Sequence, residues 1–217
     1  MSFLVKICGV TRPRDAELAC REGAGAIGLN FWSGSKRFVE DGQAREILAA
    51  VPPGVLKVGV FVNPHRLAVS ERLAQLGLDL IQFHGDESPS AWADLAGGKI
   101  IRAIRVSDEG SLAAAAGWQP RFFLYDAFSE DYGGTGKLAP WQIVAAGGRR
   151  PFLLAGGLTP QNVAAAIASV RPDGIDVSSG VESSPGIKDQ GKLAAFIANA
   201  RAAGGPLAPP KSGIGPG

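Results

Sequence analysis

Cysteine, histidine and charge are all scarce in this chain of 217 residues. Its two cysteines, Cys8 and Cys20, are too few for a disulfide framework or a structural zinc site, and its two histidines, His65 and His84, do not fall near them at metal-ligand spacing. Charged residues make up only 19%, with 22 basic against 20 acidic side chains, a net charge of +2 and no basic cluster. That balance excludes a nucleic-acid binder whose affinity comes from neutralising phosphates. No uninterrupted apolar stretch approaches the roughly 20 residues that cross a bilayer, so no membrane partner is expected. The first ten residues, MSFLVKICGV, lack the long apolar region of a secretory signal, which makes the cytoplasm the expected location and lets the fold begin at once. The abundant residues are apolar, at 46%, enough for a sizeable core and too many for a largely disordered chain. Glycine is abundant too: 30 residues, about twice the usual share, imply many sharp turns or close backbone approaches to a ligand. The expected partner is a small molecule.

Short apolar runs of strand length begin at Leu4, Ala26, Val58, Leu80, Ile101, Phe122, Phe152 and Gly174, with successive starts 22, 32, 22, 21, 21, 30 and 22 residues apart. Between them, apolar residues recur at helical spacing: Ala16, Ala19 and Cys20; Ala44, Ile47 and Leu48; Leu67, Leu73 and Leu76; Val163, Ile167 and Val170. Thr11 before Pro13, Ser88 before Pro89 and Thr159 before Pro160 each read as a capping hydroxyl followed by a proline in a first helical turn. Parallel neighbours require crossovers, and eight strand-then-helix units close into an α/β fold, the (β/α)8 TIM barrel. The expected organisation is a single catalytic domain over residues 1–203. The proline- and glycine-rich stretch 204–217 falls outside the repeat as a flexible tail.

Such barrels carry their active sites at the C-terminal ends of the strands. The residues there are Cys8 with Gly9, Asn30, Asn63, His84 with Gly85, Arg105, Asp126, Gly156 with Gly157, and Asp176 with Ser178. Strand alternation puts Lys6 and Cys8 on the inner face of the first strand, and Phe122, Leu124 and Asp126 on the inner face of the sixth. Cys8 and Asp126 therefore face one mouth. Cys8 ends a strand beside a glycine and a helix start, where peptide dipoles stabilise a thiolate, whereas Cys20 reads as a small buried hydrophobe. Asp126 is followed by a glycine-rich loop, Tyr132 to Gly136, and a strand-end carboxylate under a mobile loop suits general acid catalysis. The glycine pair Gly156–Gly157 and the run Ser178, Ser179 and Gly180 lie in the loops after strands seven and eight, where barrels of this kind hold phosphate on backbone N–H groups. Arg37, after strand two, is either a solvated charge or a guanidinium for a substrate carboxylate. His84 is either a polar packing residue or a substrate contact.

Two glycine motifs mislead. GAGAIG at 23–28 matches a dinucleotide fingerprint but leads into a strand instead of following one, and Gly133 to Lys137 lacks the Ser or Thr and the spacing of a P-loop. Neither nicotinamide nor ATP is supported.

Together the motifs KICG (6–9), SKRFV (35–39), VGVFVN (58–63), QFHGDES (82–88), YGGTGK (132–137), LAGGL (154–158), DVSSGVES (176–183) and PGIKD (185–189) resemble the phosphoribosylanthranilate isomerases over residues 4–202. The resemblance implies an Amadori rearrangement of a phosphoribosyl substrate in tryptophan biosynthesis, without cofactor or metal, by a monomer or homodimer. It implies Cys8 as general base and Asp126 as general acid. Arg37, His84 and Asp176 contact the substrate, and Gly156, Gly157, Ser178, Ser179 and Gly180 hold its phosphate. Another phosphosugar barrel enzyme shares the phosphate loops, and a catalytically silent phosphosugar sensor would keep Gly156 and Ser178 without needing Cys8 opposite Asp126.

Overall fold

The computed structural model describes residues 3–95, 97–126 and 140–204. Eight parallel strands form a closed barrel in sequence order: β1 (Leu4–Cys8), β2 (Ala26–Asn30), β3 (Leu56–Phe61), β4 (Leu80–Phe83), β5 (Ile100–Arg105), β6 (Phe122–Asp126), β7 (Phe152–Ala155) and β8 (Gly174–Val177), with β8 paired to β1. Every strand starts within two residues of its apolar run. The strands are apolar on both faces because both are covered. Ala26, Val58, Leu80, Ile101, Ala103, Phe122, Leu124, Leu153 and Ala155 fill the barrel interior, while Val5, Ile7, Ile27, Leu29, Ile81, Phe83, Tyr125, Leu154 and Ile175 face the outer layer. Lys6 and Gln82 occupy inward positions and are buried at 0% and 1% exposure.

The outer layer contains α1 (Pro13–Glu22), α2 (Asp41–Ala49), α3 (Arg66–Leu76), α4 (Pro140–Gly147), α5 (Val163–Val170) and α6 (Gln190–Gly204). The fourth and fifth units depart from the expected repeat. Among the described residues they hold only 3-10 segments, principally Ser90–Trp92 after β4 and Glu109–Ala115 after β5. Sixteen residues separate each of these strands from the next, and Pro89, Gly97 and Gly98 in one connection and Gly110, Gly117 and Pro120 in the other leave little room for a regular helix. Tryptophans cover the barrel there: the Trp92 and Trp118 rings lie 4.4 and 6.1 Å from that of Phe83.

Two capping expectations also change. The N-cap of α1 is Arg12, without a side-chain cap, because Thr11 Oγ1 donates instead to the Gly186 carbonyl at 2.6 Å. Helix α5 starts at Val163 and not behind Thr159; Asn162 folds the intervening turn by accepting from Thr159 N and donating to the Gly157 carbonyl. Ser88 does accept from Ala91 N, at 3.4 Å. At the C-terminus, α6 extends through Gly204, which packs closely on the Phe3 ring, so the boundary at 204 moves outward by one residue. The rest of the expected tail, 205–217, and the glycine-rich loop 132–136 lie outside the described residues. No helix among the described residues is long and apolar enough to cross a membrane.

Beyond β8 the chain makes a 3-10 turn, Ser179–Val181, and then a short antiparallel hairpin of β9 (Glu182–Ser184) and β10 (Ile187–Lys188) before α6.

Candidate active site

The C-terminal ends of the strands surround a cavity of about 400 Å³ whose lining includes Cys8, Arg37, His84, Asp126, Gly156, Gly157, Asp176, Ser178, Ser179 and Gly180. Every residue singled out for chemistry or binding in the sequence thus reaches one space. Three residues of the strand-end set, Asn63, Gly85 and Arg105, do not line it. Asn63 turns its side chain to Asp86 N, in a backbone conformation with φ of 46°, and Arg105 is exposed at the end of β5.

Cys8 and Asp126 come from β1 and β6 and are not neighbours around the barrel. Beneath Cys8 lies an ion pair that strand register creates: Lys6 and Asp176 are direct partners across β1 and β8, and Lys6 Nζ donates to Asp176 Oδ1 at 2.8 Å. Burial acts against the ammonium, but Asp176 and then Cys8 outweigh it and hold the Lys6 pKa above its usual value. The Lys6 ammonium also favours the ionised form of Cys8 and acts to lower its pKa. Both groups crowd Gly28 on β2, where a Cβ would meet Cys8 Sγ at 2.9 Å and Lys6 Nζ at 3.1 Å.

The ionisation of Cys8 differs from the sequence expectation. Burial pushes its thiol up, and Lys6 pulls it back only in part. The first residue of α1 is Pro13, five positions beyond Cys8, and a helix dipole acts mainly within its terminal turn. The cation that reaches the sulfur is therefore Lys6, and the resting group is a thiol. Cys20, packed on the core, is likewise raised by burial, to about 11.

On the other side, His84 Nε2 stands 3.6 Å from Asp126 Oδ2, while His84 Nδ1 lies 3.3 Å from Gln82 Nε2. A Gln82 amide donating to Nδ1 leaves the ring proton on Nε2, facing the carboxylate. Sequence reasoning gave Gln82 no role. Its signal was a polar residue at an inward position of an apolar strand, and its Oε1 is buried without a hydrogen-bond partner, as is Ser178 Oγ.

Gly156 and Gly157 have φ of 90° and 63°, a region that side chains disfavour. Gly180 packs directly against the Leu158 carbonyl, so a Cβ there would collide with the backbone. The close approach of Gly180 to Leu158 brings the loops after β7 and β8 together at one end of the cavity.

Arg37 is gripped from behind. Its Nε and Nη2 donate to Glu182 Oε1 and Oε2 at 2.8 and 2.6 Å, and this hydrogen-bonded pairing raises its pKa against the effect of burial. Glu182 in turn accepts from Lys188 Nζ at 2.8 Å. Burial acts to raise the Glu182 carboxyl, but its bonds from Arg37 and Lys188 prevail and leave it below the usual glutamate value. Sequence reasoning missed both partners, although each lies in a quoted motif, DVSSGVES or PGIKD.

The chain matches the family model described as N-(5'phosphoribosyl)anthranilate (PRA) isomerase over residues 5–199. It is 50% identical over 197 residues to the N-(5'-phosphoribosyl)anthranilate isomerase of Pseudomonas fluorescens strain Pf-5, covering 88% of this chain and 92% of that protein. Among solved structures it is similar to the phosphoribosyl anthranilate isomerase of Thermotoga maritima, with a TM-score of 0.82 at 37% identity, over 92% of this chain and 99% of that one. A phosphoribosyl anthranilate isomerase in complex with reduced 1-(o-carboxyphenylamino)-1-deoxyribulose 5-phosphate matches at a TM-score of 0.81 and 35% identity, with the same coverage.

Proposed function

The chain belongs to the N-(5'-phosphoribosyl)anthranilate isomerase family of tryptophan biosynthesis, and from that premise we propose how its cavity divides the work. The reaction is an Amadori rearrangement, N-(5'-phosphoribosyl)anthranilate going to 1-(2-carboxyphenylamino)-1-deoxyribulose 5-phosphate. Asp126, protonated, gives its proton to the ring oxygen as the bond from C1 to that oxygen breaks, leaving a Schiff-base cation. That cation acidifies the proton at C2, which the Cys8 thiolate removes to form an enolamine. Cys8 returns its proton to C1 and the C2 hydroxyl gives its own proton back to Asp126, which leaves the ketone and restores both groups, so no atom is gained or lost. The two groups have opposed protonation requirements, and the rate profile should be bell-shaped.

The observation that carries this reading is the convergence of Cys8 and Asp126 on one cavity, with glycine-rich loops and an arginine on its walls. Gly156, Gly157, Ser178, Ser179 and Gly180 take the phosphate, and Arg37 takes the anthranilate carboxylate. Asp176 has one oxygen committed to Lys6, which leaves the other for a ribose hydroxyl. His84 orients Asp126 and contacts the substrate beside it.

Inorganic phosphate should inhibit competitively. Gly157→Val, which forces a branched side chain into a φ of 63°, should raise the inhibition constant for phosphate and the KM together. Cys8→Ser should leave phosphate binding, measured by calorimetry, unchanged. Phosphate affinity insensitive to Gly157→Val in a folded protein would put the anchor elsewhere and reverse the substrate orientation.

A further inference from the structure

The hairpin after β8 holds two buried charges that the chemical steps do not use, Glu182 at 7% and Lys188 at 4% exposure. Burying charge is costly unless every polar atom is met, and here the bonds account for each one. An ammonium has three N–H donors. Those of Lys188 have three oxygen partners: the Cys8 carbonyl at 2.7 Å, the Ser178 carbonyl at 3.2 Å and Glu182 Oε1 at 2.8 Å. One side chain thus ties the end of β1, the loop after β8 and the hairpin into a single unit.

Glu182 uses both oxygens on Arg37. A guanidinium offers two forked edges, and Glu182 occupies the one formed by Nε and Nη2. The edge formed by Nη1 and Nη2 is left for a second carboxylate, and Arg37 lines the cavity. Glu182 alone would cancel the charge that such a carboxylate needs. Lys188, fully buried on the far side of Glu182, leaves the triad with one net positive charge.

We propose that Glu182 and Lys188 are positioning residues for the substrate carboxylate: Glu182 fixes the guanidinium of Arg37 edge-on to the cavity, and Lys188 restores its charge and locks it to the strand ends carrying Cys8 and Ser178. The proposal rests on the reading of Arg37 as the carboxylate's partner. It deepens that reading by moving the cost of ordering a long side chain from binding to folding, the usual gain from preorganisation.

The test uses the full chain and two ligands, the reduced carboxyphenylamino product analogue and the same analogue without its carboxylate. Glu182→Gln should raise KM and weaken the carboxylate-bearing analogue by about tenfold or more, the loss expected when a bidentate charged pair becomes a single neutral contact. Affinity for the carboxylate-free analogue should change by less than about threefold, and kcat should fall much less than kcat/KM. Adding Glu182→Gln to Arg37→Ala should cost no further affinity, because Glu182 acts through Arg37. Glu182→Asp, which keeps the charge, should recover part of the loss and serves as the test variant if Glu182→Gln fails to fold. If Arg37→Ala discriminates between the analogues and neither Glu182 variant does, the positioning role is overturned and the carboxylate site stands. If Arg37→Ala weakens both analogues equally, the carboxylate site itself is overturned.

Discussion

Cys8→Ser and Asp126→Asn should each lower kcat by about a hundred- to ten-thousandfold, the typical contribution of a general acid or base. Affinity for the reduced product analogue should stay within about threefold, since each change removes a proton-transfer group and not an anchor. The double variant should be little worse than either single one, because the acid and base act in a single sequence. The pH profile separates the two. Burial holds the Cys8 thiol above its ordinary 9.0, so the alkaline limb of the bell-shaped kcat/KM profile should lie at higher pH than an ordinary cysteine would place it. Near-normal turnover by either variant would remove that residue from the mechanism.

Asp176→Ala should be among the most destabilising single changes in the barrel. It leaves the ammonium of Lys6, at 0% exposure, without its carboxylate, and breaking a buried pair from one side costs about 3–5 kcal/mol. At roughly 2–4 °C per kcal/mol for a domain of this size, Tm should fall by about 6–20 °C. Lys6→Met combined with Asp176→Ala should recover much of that loss, because the uncompensated charge is then gone. The pair also has a pH signature. The Lys6 pKa is higher in the folded chain than its ordinary 10.5, so its contribution to stability is complete below that value and disappears as pH rises through the folded value. The wild-type protein should therefore lose stability more steeply in strong alkali than Lys6→Met. A Tm for Asp176→Ala within about 2 °C of wild type would show that Lys6 finds another partner or solvent.

The barrel was legible because its strands are buried on both faces, so each appears as a mainly apolar run, and alternation within it separates Lys6 and Cys8 from Val5 and Ile7. Strand ends then led to the cavity residues, since parallel strands bring all their C-terminal ends to one side. The fourth and fifth outer segments were less legible. Pro89, Gly97, Gly98 and Pro120 disfavour helix locally, yet strand spacing alone says nothing about how a short crossover is filled, and here Trp92 and Trp118 do part of that work. Thr11 and Thr159 have the composition of caps, but a hydroxyl's choice between Gly186 and its own helix is decided by a contact 175 residues away. The same limit hid the Arg37–Glu182–Lys188 triad. Glu182 lies 145 residues from Arg37, and only closure of the barrel brings β1, β2 and the hairpin after β8 together. The state of Cys8 escaped for a related reason: a helix start close in sequence suggested a thiolate, whereas burial and Lys6 set the balance.

The central claim is that this cavity carries out the rearrangement and does not merely hold a phosphosugar. Purified protein mixed with N-(5'-phosphoribosyl)anthranilate, with no cofactor added, tests it most directly. Conversion to the aminodeoxyribulose phosphate is expected with kcat of about 1–1000 s⁻¹, lowered at least about a hundredfold in Cys8→Ser and inhibited by phosphate. Tight binding of the substrate without conversion would contradict it and leave a phosphosugar sensor, and faster turnover of a different aminoaldose phosphate would assign the barrel to another reaction.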